Sequence, residues 1–407
     1  MAGALDGLLV LDLSRILAGP WCTQILADLG AKVIKVERPG RGDDTRAWGP
    51  PYLKDGQGND TTEAAYYLSA NRGKMSITLD IATEEGAALA REMAAKADIL
   101  VENYKLGGLK KYGLDYAGLK DANPRLIYCS ITGFGQDGPY AARAGYDFVV
   151  QGMCGFMSIT GERDDLPGGG PQKGGVAISD LTTGLYSTIS ILAALNHRNN
   201  TGEGQYIDMA LLDSAIALMA NQNLNYLTSG EPPTRYGNAH PNLLPYSVFD
   251  TADDPIIIAV GNDDQFRRFC DLAGASELAD DPRFATNPAR IRHRDELMPQ
   301  VFELVKQKPR AWWVEHLEAR GIPYGVVNNF AQTFADPQVR ARAMRFDMPH
   351  PTAGTVPMVR SPVNLKGSPP VYRRPPPLLG EHTEEVLADV LGKSAAEIAR
   401  LKAAGVV

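Results

Sequence analysis

Cysteine and histidine are scarce in this sequence. Its 407 residues include four cysteines, Cys22, Cys129, Cys154 and Cys270, which are scattered in apolar contexts and form no CxxC pair. This distribution argues against a disulfide framework and predicts buried free thiols in a reducing compartment. The six histidines show no metal-ligand spacing, so we predict no metal site.

Long apolar runs and targeting segments are also missing. No stretch reaches the roughly 18 consecutive apolar residues that a transmembrane helix needs, so no membrane partner is predicted. The N-terminus has neither a basic region nor an Arg/Ser-rich pattern, and the chain is therefore expected in the cytoplasm. A formal net charge of −7 gives no reason to expect a nucleic-acid partner.

Several common catalytic motifs do not occur. The sequence contains no GxSxG, Walker A or HExxH motif, which leaves serine hydrolase, P-loop and zinc protease functions without support. The segment GFGQDG, Gly133 to Gly138, matches GxGxxG, but Pro139 follows directly and no strong helix pattern begins inside it. We interpret it as a glycine-rich turn that allows a close backbone approach, not as a dinucleotide site.

Alternating strand and helix patterns fill the N-terminal third of the chain. The runs LLVLDLS, KVIKVER, SITLDI, DILVENY and RLIYCSIT are typical of strands, with helical segments such as TEEGAALAREMAAKA between them. This order predicts an α/β fold with a Rossmann-like, mostly parallel sheet. Ligands of such sheets bind beyond the carboxyl ends of the strands, which here carry SRILAGP, ERPGRGDDTR, ENYKLGG and TGFGQDGPY.

The middle of the chain has a different pattern. Two strand-like runs joined by a turn at Asp253–Pro255 precede several helical segments, which predicts a smaller α+β domain over residues 225–330. Residues 1–224 and 331–407 are predicted to form the large Rossmann-like domain. Within the latter, the proline-rich stretch 368–378 is expected to be extended.

Two groups of basic residues leave two interpretations open. Arg38 and Arg41 follow a predicted strand, with Arg46 nearby, and could bind phosphate or simply be solvated. Lys110 and Lys111 raise the same alternatives.

Asp180 places a carboxylate at the start of a long apolar helix pattern, in GGVAISDLTTGLYS. A structural interpretation is helix capping, in which Asp180 accepts a hydrogen bond from the N–H of Thr182 or Thr183. A chemical interpretation is equally open, because the helix dipole favours the ionised form. Small neighbours such as Gly175 and Gly184 would then leave room for a substrate carbonyl.

Five segments together resemble the class III CoA-transferase family, whose members include formyl-CoA and carnitine CoA-transferases. They are LDGLLVLDLSRILAGPWCTQILADLGAKVIKVERPGRGDDTR, VENYKLGGLKKYGL, CSITGFGQDGPYAARAGYD, SDLTTGLYS and PPPLLGEHTEEVL. They occur in the family's order and span nearly the whole chain. The stretches RAGYD and YGNAHP and the ending AAGVV further resemble the branch that moves CoA from succinyl-CoA to another dicarboxylate such as glutarate.

The resemblance implies that Asp180 is the catalytic nucleophile. Its carboxylate would attack an acyl-CoA thioester and pass CoA to a carboxylic acid through covalent aspartyl intermediates. Water would hydrolyse such intermediates, which accounts for an apolar setting around this charge. The alternative is a 2-methylacyl-CoA racemase, because racemases share the fold. They present a histidine where this chain has Tyr146, however, and tyrosine of ordinary pKa is a poor base at neutral pH.

The resemblance also implies a set of CoA-binding positions in the large domain. They are Leu17, Ala18, Arg38, Leu79, Ile81, Asn103, Tyr104, Lys111, Tyr146 and Asp147. The chain departs from the formyl-CoA branch at Ala82 and Ala144, which replace lysines, and Arg143 could compensate at the second position. The glycine-rich lid of that branch is missing too.

Further implications concern partners and the acceptor. The resemblance implies an interlocked homodimer, with CoA as a substrate and no metal or organic cofactor. A dicarboxylate acceptor would need a cation for its distal carboxylate, ideally an arginine. We hypothesise that Arg15, in the loop after LDLS, has this role.

Overall fold

A computed structural model describes residues 2–407 of the chain. In chain order, the strands are β1 (Leu9–Asp12), β2 (Lys32–Glu37), β3 (Tyr52–Lys54), β4 (Asp60–Ala64), β5 (Lys74–Thr78), β6 (Ile99–Glu102), β7 (Ile127–Thr132), β8 (Gln205–Ala210), β9 (Tyr246–Phe249), β10 (Ile256–Ala259), β11 (Tyr324–Val326), β12 (Arg345–His350) and β13 (Gly354–Val359).

The helices of the described residues vary from one turn to more than six. They are α1 (Ala18–Asp28), α2 (Ala65–Ser69), α3 (Glu84–Lys96), α4 (Tyr116–Leu119), α5 (Asp147–Met153), α6 (Phe156–Ile159), α7 (Ile178–Thr201), α8 (Leu211–Leu218), α9 (Ala220–Ser229), α10 (Asp263–Ala273), α11 (Glu277–Asp280), α12 (Asn287–Arg292), α13 (Arg294–Lys306), α14 (Arg310–Ala319), α15 (Phe330–Ala335), α16 (Pro337–Ala341), α17 (Thr383–Asp389) and α18 (Ala395–Ala403). Short 3-10 helices span Asp44–Ala47 and Lys110–Tyr112.

The largest sheet has six strands in the order β5-β2-β1-β6-β7-β8, and every neighbouring pair is parallel. The α/β fold with a Rossmann-like parallel sheet is therefore confirmed. The chain runs outward from β1 to β5 and then returns to β6 on the other side of β1. The order thus reverses between β1 and β6, and ligands of doubly wound sheets bind at such a reversal.

Two apolar cores cover the two faces of this sheet, because successive strand residues point to opposite faces. In β1, Val10 belongs to the core shared with α1, α7 and α8, whereas Leu11 belongs to the core shared with α3, α17 and α18. The C-terminal helices thus close one face of the sheet. The N–H of Asp80, which follows β5, also donates to the carbonyl of Val406 at 2.8 Å.

Helix α7 is the longest element and lies against α1, α5 and α8. By length and composition alone it could cross a membrane, yet half of its most apolar window is buried inside the protein. That burial is what a core helix shows.

The described residues divide into two compact units. One comprises residues up to Phe156, Gly174–Ser229 and Gln338–Val407, and the other comprises Met157–Lys173 and Gly230–Pro337. The second unit has its own core and a three-stranded sheet, β11-β10-β9. Its β9 and β10 pair antiparallel on either side of the expected turn. The predicted domain boundaries stay a prediction.

Candidate active site

Three cavities lie at the carboxyl edge of the six-stranded sheet. One, of about 310 Å³, is lined by Lys110 and other residues of the loop after β6. The other two contain the predicted nucleophile and Arg38. The first of these two measures about 260 Å³ and is lined by the loops after β1, β6 and β7, by the segment before α5 and by Asp180. We call it the Asp180 cavity. The second measures about 390 Å³, is lined by the loops after β2 and β5, and is called the Arg38 cavity. Arg15 and Tyr104 border both, so the cavities adjoin.

All of the predicted site residues except Lys111 line these cavities. The Asp180 cavity has Arg15, Leu17, Ala18, Asn103, Tyr104, Tyr146, Asp147 and Asp180 in its wall. The Arg38 cavity adds Arg38, Leu79 and Ile81. The Lys111 ammonium lies outside both walls, 4.7 Å from the centre of the Tyr112 ring, which itself borders the Arg38 cavity.

Arg15 and Asn103 join the two loops at the reversal point of the sheet. The Arg15 N–H donates to Asn103 Oδ1 at 2.9 Å, and Asn103 Nδ2 donates to the Arg15 carbonyl at 2.7 Å. Both bonds use the backbone of residue 15, so the Arg15 side chain stays available to the cavities. That side chain is 48% exposed and pairs with Asp44 at 3.2 Å.

A buried ion pair beneath the loop after β1 fixes its backbone. Lys35 Nζ donates to Asp43 Oδ2 at 2.8 Å and to the carbonyl of Ser14 at 2.9 Å. Asp43 in turn accepts the N–H of Ile16, whose φ of 71° is unusual for a β-branched residue. Burial acts to raise the pKa of Asp43, but Lys35 and the Thr45 hydrogen bonds lower it to about 2.

A second buried pair, Lys74 with Asp12, lies beside the first. Lys74 Nζ donates to Asp12 Oδ2 at 3.0 Å, while the other Asp12 oxygen accepts the N–H and the hydroxyl of Ser14. Burial lowers the pKa of Lys74 to about 8 even though the Asp12 carboxylate opposes that change. Four charges removed from water thus hold the loop that borders both cavities.

Asp180 lies inside the first turn of α7, not at its cap. The helix begins at Ile178, and the N-cap residue Ala177 has no side chain able to accept a hydrogen bond. The capping interpretation of Asp180 is therefore wrong, because the helix starts earlier than the sequence pattern predicted. Within residues 2–407, the structure gives the Asp180 carboxylate no hydrogen-bond donor and no ion-pair partner.

The capping function falls to Asp147, which precedes α7 by more than thirty residues. Its Oδ1 accepts the N–H of Ser179 at 2.8 Å and lies 3.4 Å from the N–H of Asp180. Burial and, second, the negative charge of Asp147 raise the pKa of Asp180 to about 7. A carboxylate with that pKa is more basic than an ordinary aspartate.

Three cations border the Asp180 cavity. Arg15 was predicted to bind the acceptor and Arg143 to compensate for the lysine missing at Ala144, whereas Lys105 was not predicted. Lys105 lies in the loop after β6. The guanidinium carbon of Arg143 lies 3.8 Å from the centre of the Tyr140 ring. In the described part of the chain neither has an ion-pair partner. A sequence signal for Lys105 existed, since it directly follows Asn103 and Tyr104 at a strand end.

The arginines after β2 differ in their availability. Arg38 is exposed at the cavity wall, whereas Arg41 pairs with Asp44 at 3.0 Å. Arg46 is bound to Glu37 at 2.7 Å beneath the surface and therefore serves the structure, not a phosphate. Lys110 lies in the wall of neither the Asp180 cavity nor the Arg38 cavity.

The glycine-rich turn after β7 brings two backbones together. A Cβ on Gly133 would lie 2.3 Å from the Cα of Gly145, so neither position tolerates a side chain. This contact anchors the segment that carries Tyr146 and Asp147 against the end of β7. The segment is thus the close-packed turn that the sequence indicated.

Tyr66 and Gln151 are site residues that sequence reasoning missed. Burial, and then the charges of Asp180 and Asp147, raise the pKa of Tyr66 on α2. Gln151 is 1% exposed and bonds to Asp147. Tyr66 reaches the site only through folding, whereas Gln151 had a local signal, since it follows Asp147 by four residues on α5.

Comparisons with known proteins identify the family. A model of CoA-transferase family III matches residues 5–383. A succinate–glutarate CoA-transferase of Agrobacterium fabrum is 53% identical over 390 residues, 95% of each chain. A succinyl-CoA:glutarate CoA-transferase of Homo sapiens is 42% identical over 403 residues, which are 99% of this chain and 90% of the human one.

A solved structure agrees with these sequence matches. The crystal structure of a CAIB/BAIF family protein from Brucella suis has a TM-score of 0.82 at 51% identity, covering 96% of this chain and 100% of that one. The resemblance noted from sequence segments is therefore confirmed over nearly the full length. The chain belongs to CoA-transferase family III, and is an enzyme of the CoA-transferase class.

Proposed function

We propose that this enzyme transfers CoA from succinyl-CoA to a dicarboxylate such as glutarate, with Asp180 as the covalent relay. The observation that carries the proposal is the Asp180 carboxylate, which has no hydrogen-bond donor within residues 2–407 and lies in a cavity at the reversal point of the sheet. The substrates named for the Agrobacterium and human relatives support the choice of donor and acceptor.

The first half of the reaction loads the enzyme. The Asp180 carboxylate attacks the thioester carbonyl of succinyl-CoA, the C–S bond breaks, and CoA leaves as the thiolate from a succinyl-aspartyl anhydride. The thiolate then attacks the aspartyl carbonyl of the anhydride, which releases succinate and leaves CoA bound to Asp180 as a thioester. An intact, donor-free carboxylate is the form that this first attack requires.

The second half reverses these steps on the acceptor. An acceptor carboxylate attacks the aspartyl thioester, expels the thiolate and forms a second anhydride. The thiolate then attacks the acceptor's carbonyl, which forms the new CoA ester and regenerates Asp180. One thioester is broken, another is formed and the Asp180 carboxylate is returned, so the transfer balances with the two substrates alone.

The start of α1 is suited to the negative charge that develops on the attacked carbonyl oxygens. Leu17 and Ala18 line the Asp180 cavity, and α1 begins there without a side-chain cap. The N–H groups of a first helical turn have no acceptor inside the helix. Donors fixed beside a developing oxyanion usually supply a large part of catalysis.

The Arg38 cavity would receive the nucleotide end of CoA. Leu79 and Ile81 offer apolar contacts to an adenine ring, and Arg38 offers a charge to a phosphate. Lys111 would contribute a further charge from the edge, beside Tyr112. Arg143 takes the place of a lysine missing at Ala144, and it shares the Asp180 cavity with Asn103, Tyr104 and Tyr146.

The distal carboxylate of the acceptor would bind one of the cavity's cations. Arg15 borders the Asp180 cavity and shares its charge with Asp44, which leaves part of its guanidinium for a ligand. We retain Arg15 as the proposed partner and regard Arg143 as its competitor for the same role.

A homodimer completes the proposal. Helix α7 presents Leu185, Ile189 and Leu192 to the outside at intervals of four and three residues, which places them on one face. A continuous apolar stripe on a helix of this length favours burial against a partner. A second copy of the chain, interlocked with the first, is the partner we propose.

Replacement of the nucleophile tests the function directly. Asp180→Ala should lower succinyl-CoA:glutarate exchange by at least about a thousandfold while CoA affinity stays close to that of the wild type. Exchange is measured by mass spectrometry of the CoA esters, and borohydride treatment during turnover should mark residue 180 in the wild type. Asp137→Asn, in the exposed turn after β7, is the matched control and should remain active.

Two outcomes would overturn the proposal. Persisting exchange in Asp180→Ala would remove Asp180 as the relay. Solvent deuterium entering the α-carbon of a 2-methylacyl-CoA, without CoA exchange, would instead favour racemisation.

A further inference from the structure

We infer that Asp147, held by Gln151, is a positioning residue that sets both the orientation and the ionisation of Asp180. This inference rests on the proposed role of Asp180 as nucleophile. It also gives Asp147 a different role from the CoA contact that the family resemblance implied.

Asp147 orients the first turn of α7. The cap residue Ala177 supplies no acceptor, and the N–H of Ser179 is satisfied from outside the helix by Asp147 Oδ1 at 2.8 Å. Ser179 immediately precedes Asp180, whose own N–H points to the same oxygen at 3.4 Å. Any movement of the Asp147 carboxylate therefore moves the backbone that carries Asp180.

Gln151 fixes the carboxylate of Asp147 one helical turn further along α5. Its Nε2 donates to Asp147 Oδ2 at 2.6 Å, and its Oε1 accepts the N–H of Gly174 at 2.8 Å. Gln151 is 1% exposed, whereas Asp147 and Gly174 are partly exposed, so the amide holds both groups from the buried side. The chain of contacts connects α5, the segment before α7 and the first turn of α7.

The same geometry also affects the ionisation of Asp180. Asp147 lies beside Asp180 as a second negative charge, while no cation is bonded to Asp180 in the described residues. The other titratable or charged groups around it are Tyr66 on α2, Arg15, Lys105, Arg143 and Tyr146. Helices α1 and α8, which also pack on α7, contribute only uncharged residues to the cavity wall.

Through these contacts the carboxylate of Asp147 affects the pKa of Asp180. Burial is the first cause of the raised pKa of Asp180 and Asp147 is the second. Removing the charge of Asp147 should therefore lower the pKa of Asp180 and make it a weaker nucleophile that stays ionised at lower pH.

The test compares Asp147→Asn and Gln151→Ala with the wild type. The pKa of Asp180 is measured by ¹³C NMR of labelled aspartate carboxyls and assigned by the signal lost in Asp180→Asn; kcat and KM are measured from pH 5 to 9. In Asp147→Asn, the Asp180 titration and the acid limb of kcat should both move down by about half a pH unit or more. An unchanged titration in the folded variant would overturn the ionisation part.

Gln151→Ala retains the charge of Asp147 but frees its side chain. We expect kcat to fall about tenfold with little change in KM and with the acid limb close to that of the wild type. Wild-type kcat in this variant would overturn the orientation part. Failure of the proposed function gives a separate signature, because exchange would then survive in Asp180→Asn, whereas the NMR titration does not depend on activity.

Discussion

At the scale of single residues, the proposed chemistry depends on a carboxylate to which residues 2–407 offer no hydrogen-bond donor and no ion-pair partner. The raised pKa of Asp180, about 7, means that the folded protein holds its proton more tightly than a solvated aspartate would. As the pH falls below 7, more than half of the molecules carry a protonated Asp180, which is a poor nucleophile. Above pH 7 the same basicity makes the ionised carboxylate a stronger nucleophile. The raised pKa is thus the cause of both the stronger nucleophile above pH 7 and the inactive, protonated form below it.

The acceptor's second carboxylate provides a prediction at this scale. Arg15→Ala should raise KM for glutarate about tenfold or more, with a much smaller effect on a monocarboxylate of similar length, because only the dicarboxylate loses a charge-assisted bond. Steady-state kinetics with succinyl-CoA as donor measure the ratio. Arg143→Ala is the matched variant, since it also removes a guanidinium from the cavity wall. Equal effects of Arg15→Ala on both acids would contradict the assignment, and a selective effect of Arg143→Ala alone would transfer the role to Arg143.

At the scale of elements, the distance between α1 and α7 decides whether Leu17, Ala18 and Asp180 can share a cavity. Gly184 makes the approach possible, because a Cβ there would lie 2.8 Å from the Ala18 carbonyl oxygen and 3.0 Å from a ring carbon of Trp21. The helix that carries the nucleophile thus touches the helix start that would stabilise the oxyanions. The two helices can lie this close only because residue 184 has no side chain.

Gly184→Ala should therefore separate the two helices. Alanine gains up to about 1 kcal/mol in helix propensity, whereas overpacking costs about 1–3 kcal/mol, so we expect a net loss of stability and a kcat reduced about tenfold or more. Thermal unfolding and exchange assays measure both. Gly175→Ala is the control, since no atom lies within 4 Å of a Cβ at that position. A fully active and stable Gly184→Ala would show that the helix spacing is not critical.

At the scale of the whole molecule, a sheet that reverses its strand order creates the site, and an apolar helix face points to a second chain. Both features follow from connectivity: β1 and β6 are neighbours in space although four strands and the helices α1, α2 and α3 separate them in sequence. Helix α7 takes part in both, since its first turn carries Asp180 and its outer face carries Leu185, Ile189 and Leu192.

The proposed homodimer makes a prediction for the molecule in solution. Wild-type protein should sediment as a dimer, whereas Ile189→Asp should shift it toward monomers, because an unpaired charge in an apolar interface is costly. Analytical ultracentrifugation over a range of concentrations measures the change. Phe330→Asp, which alters another exposed apolar side chain, is the control. A monomeric wild type, or an unaffected Ile189→Asp dimer, would contradict the proposal.

Local patterns in the sequence predicted the parallel sheet and the loops that border the cavities. Apolar runs such as LLVLDLS and KVIKVER fix the strands, and the polar residues that follow them must gather at one edge. The family resemblance identified Asp180 as the candidate nucleophile, but it did not identify the residue that caps helix α7. Asp147 caps α7 from a distant position, and no local rule connects residue 147 with residue 179.

Buried charges were the larger gap in the sequence analysis. Lys35 lies in the middle of β2 and Lys74 is the first residue of β5, and both are fully buried. Their partners, Asp43 and Asp12, belong to other elements and become visible only after strand pairing. Lys111 is the opposite case. The family resemblance predicted it to bind CoA, but in the structure its side chain lies outside both cavity walls.

The two buried lysine pairs also constrain how this enzyme can evolve. Loss of one partner would leave the charge of the other buried and unpaired, at a cost of about 3–5 kcal/mol. Lys35 and Asp43 can therefore be replaced only together, and so can Lys74 and Asp12. We therefore expect single substitutions to change the backbone of the loop after β1 very little. New acceptor preferences must arise from the exposed side chains that this rigid frame displays, among them Arg15, Lys105 and Arg143, which can be exchanged one at a time.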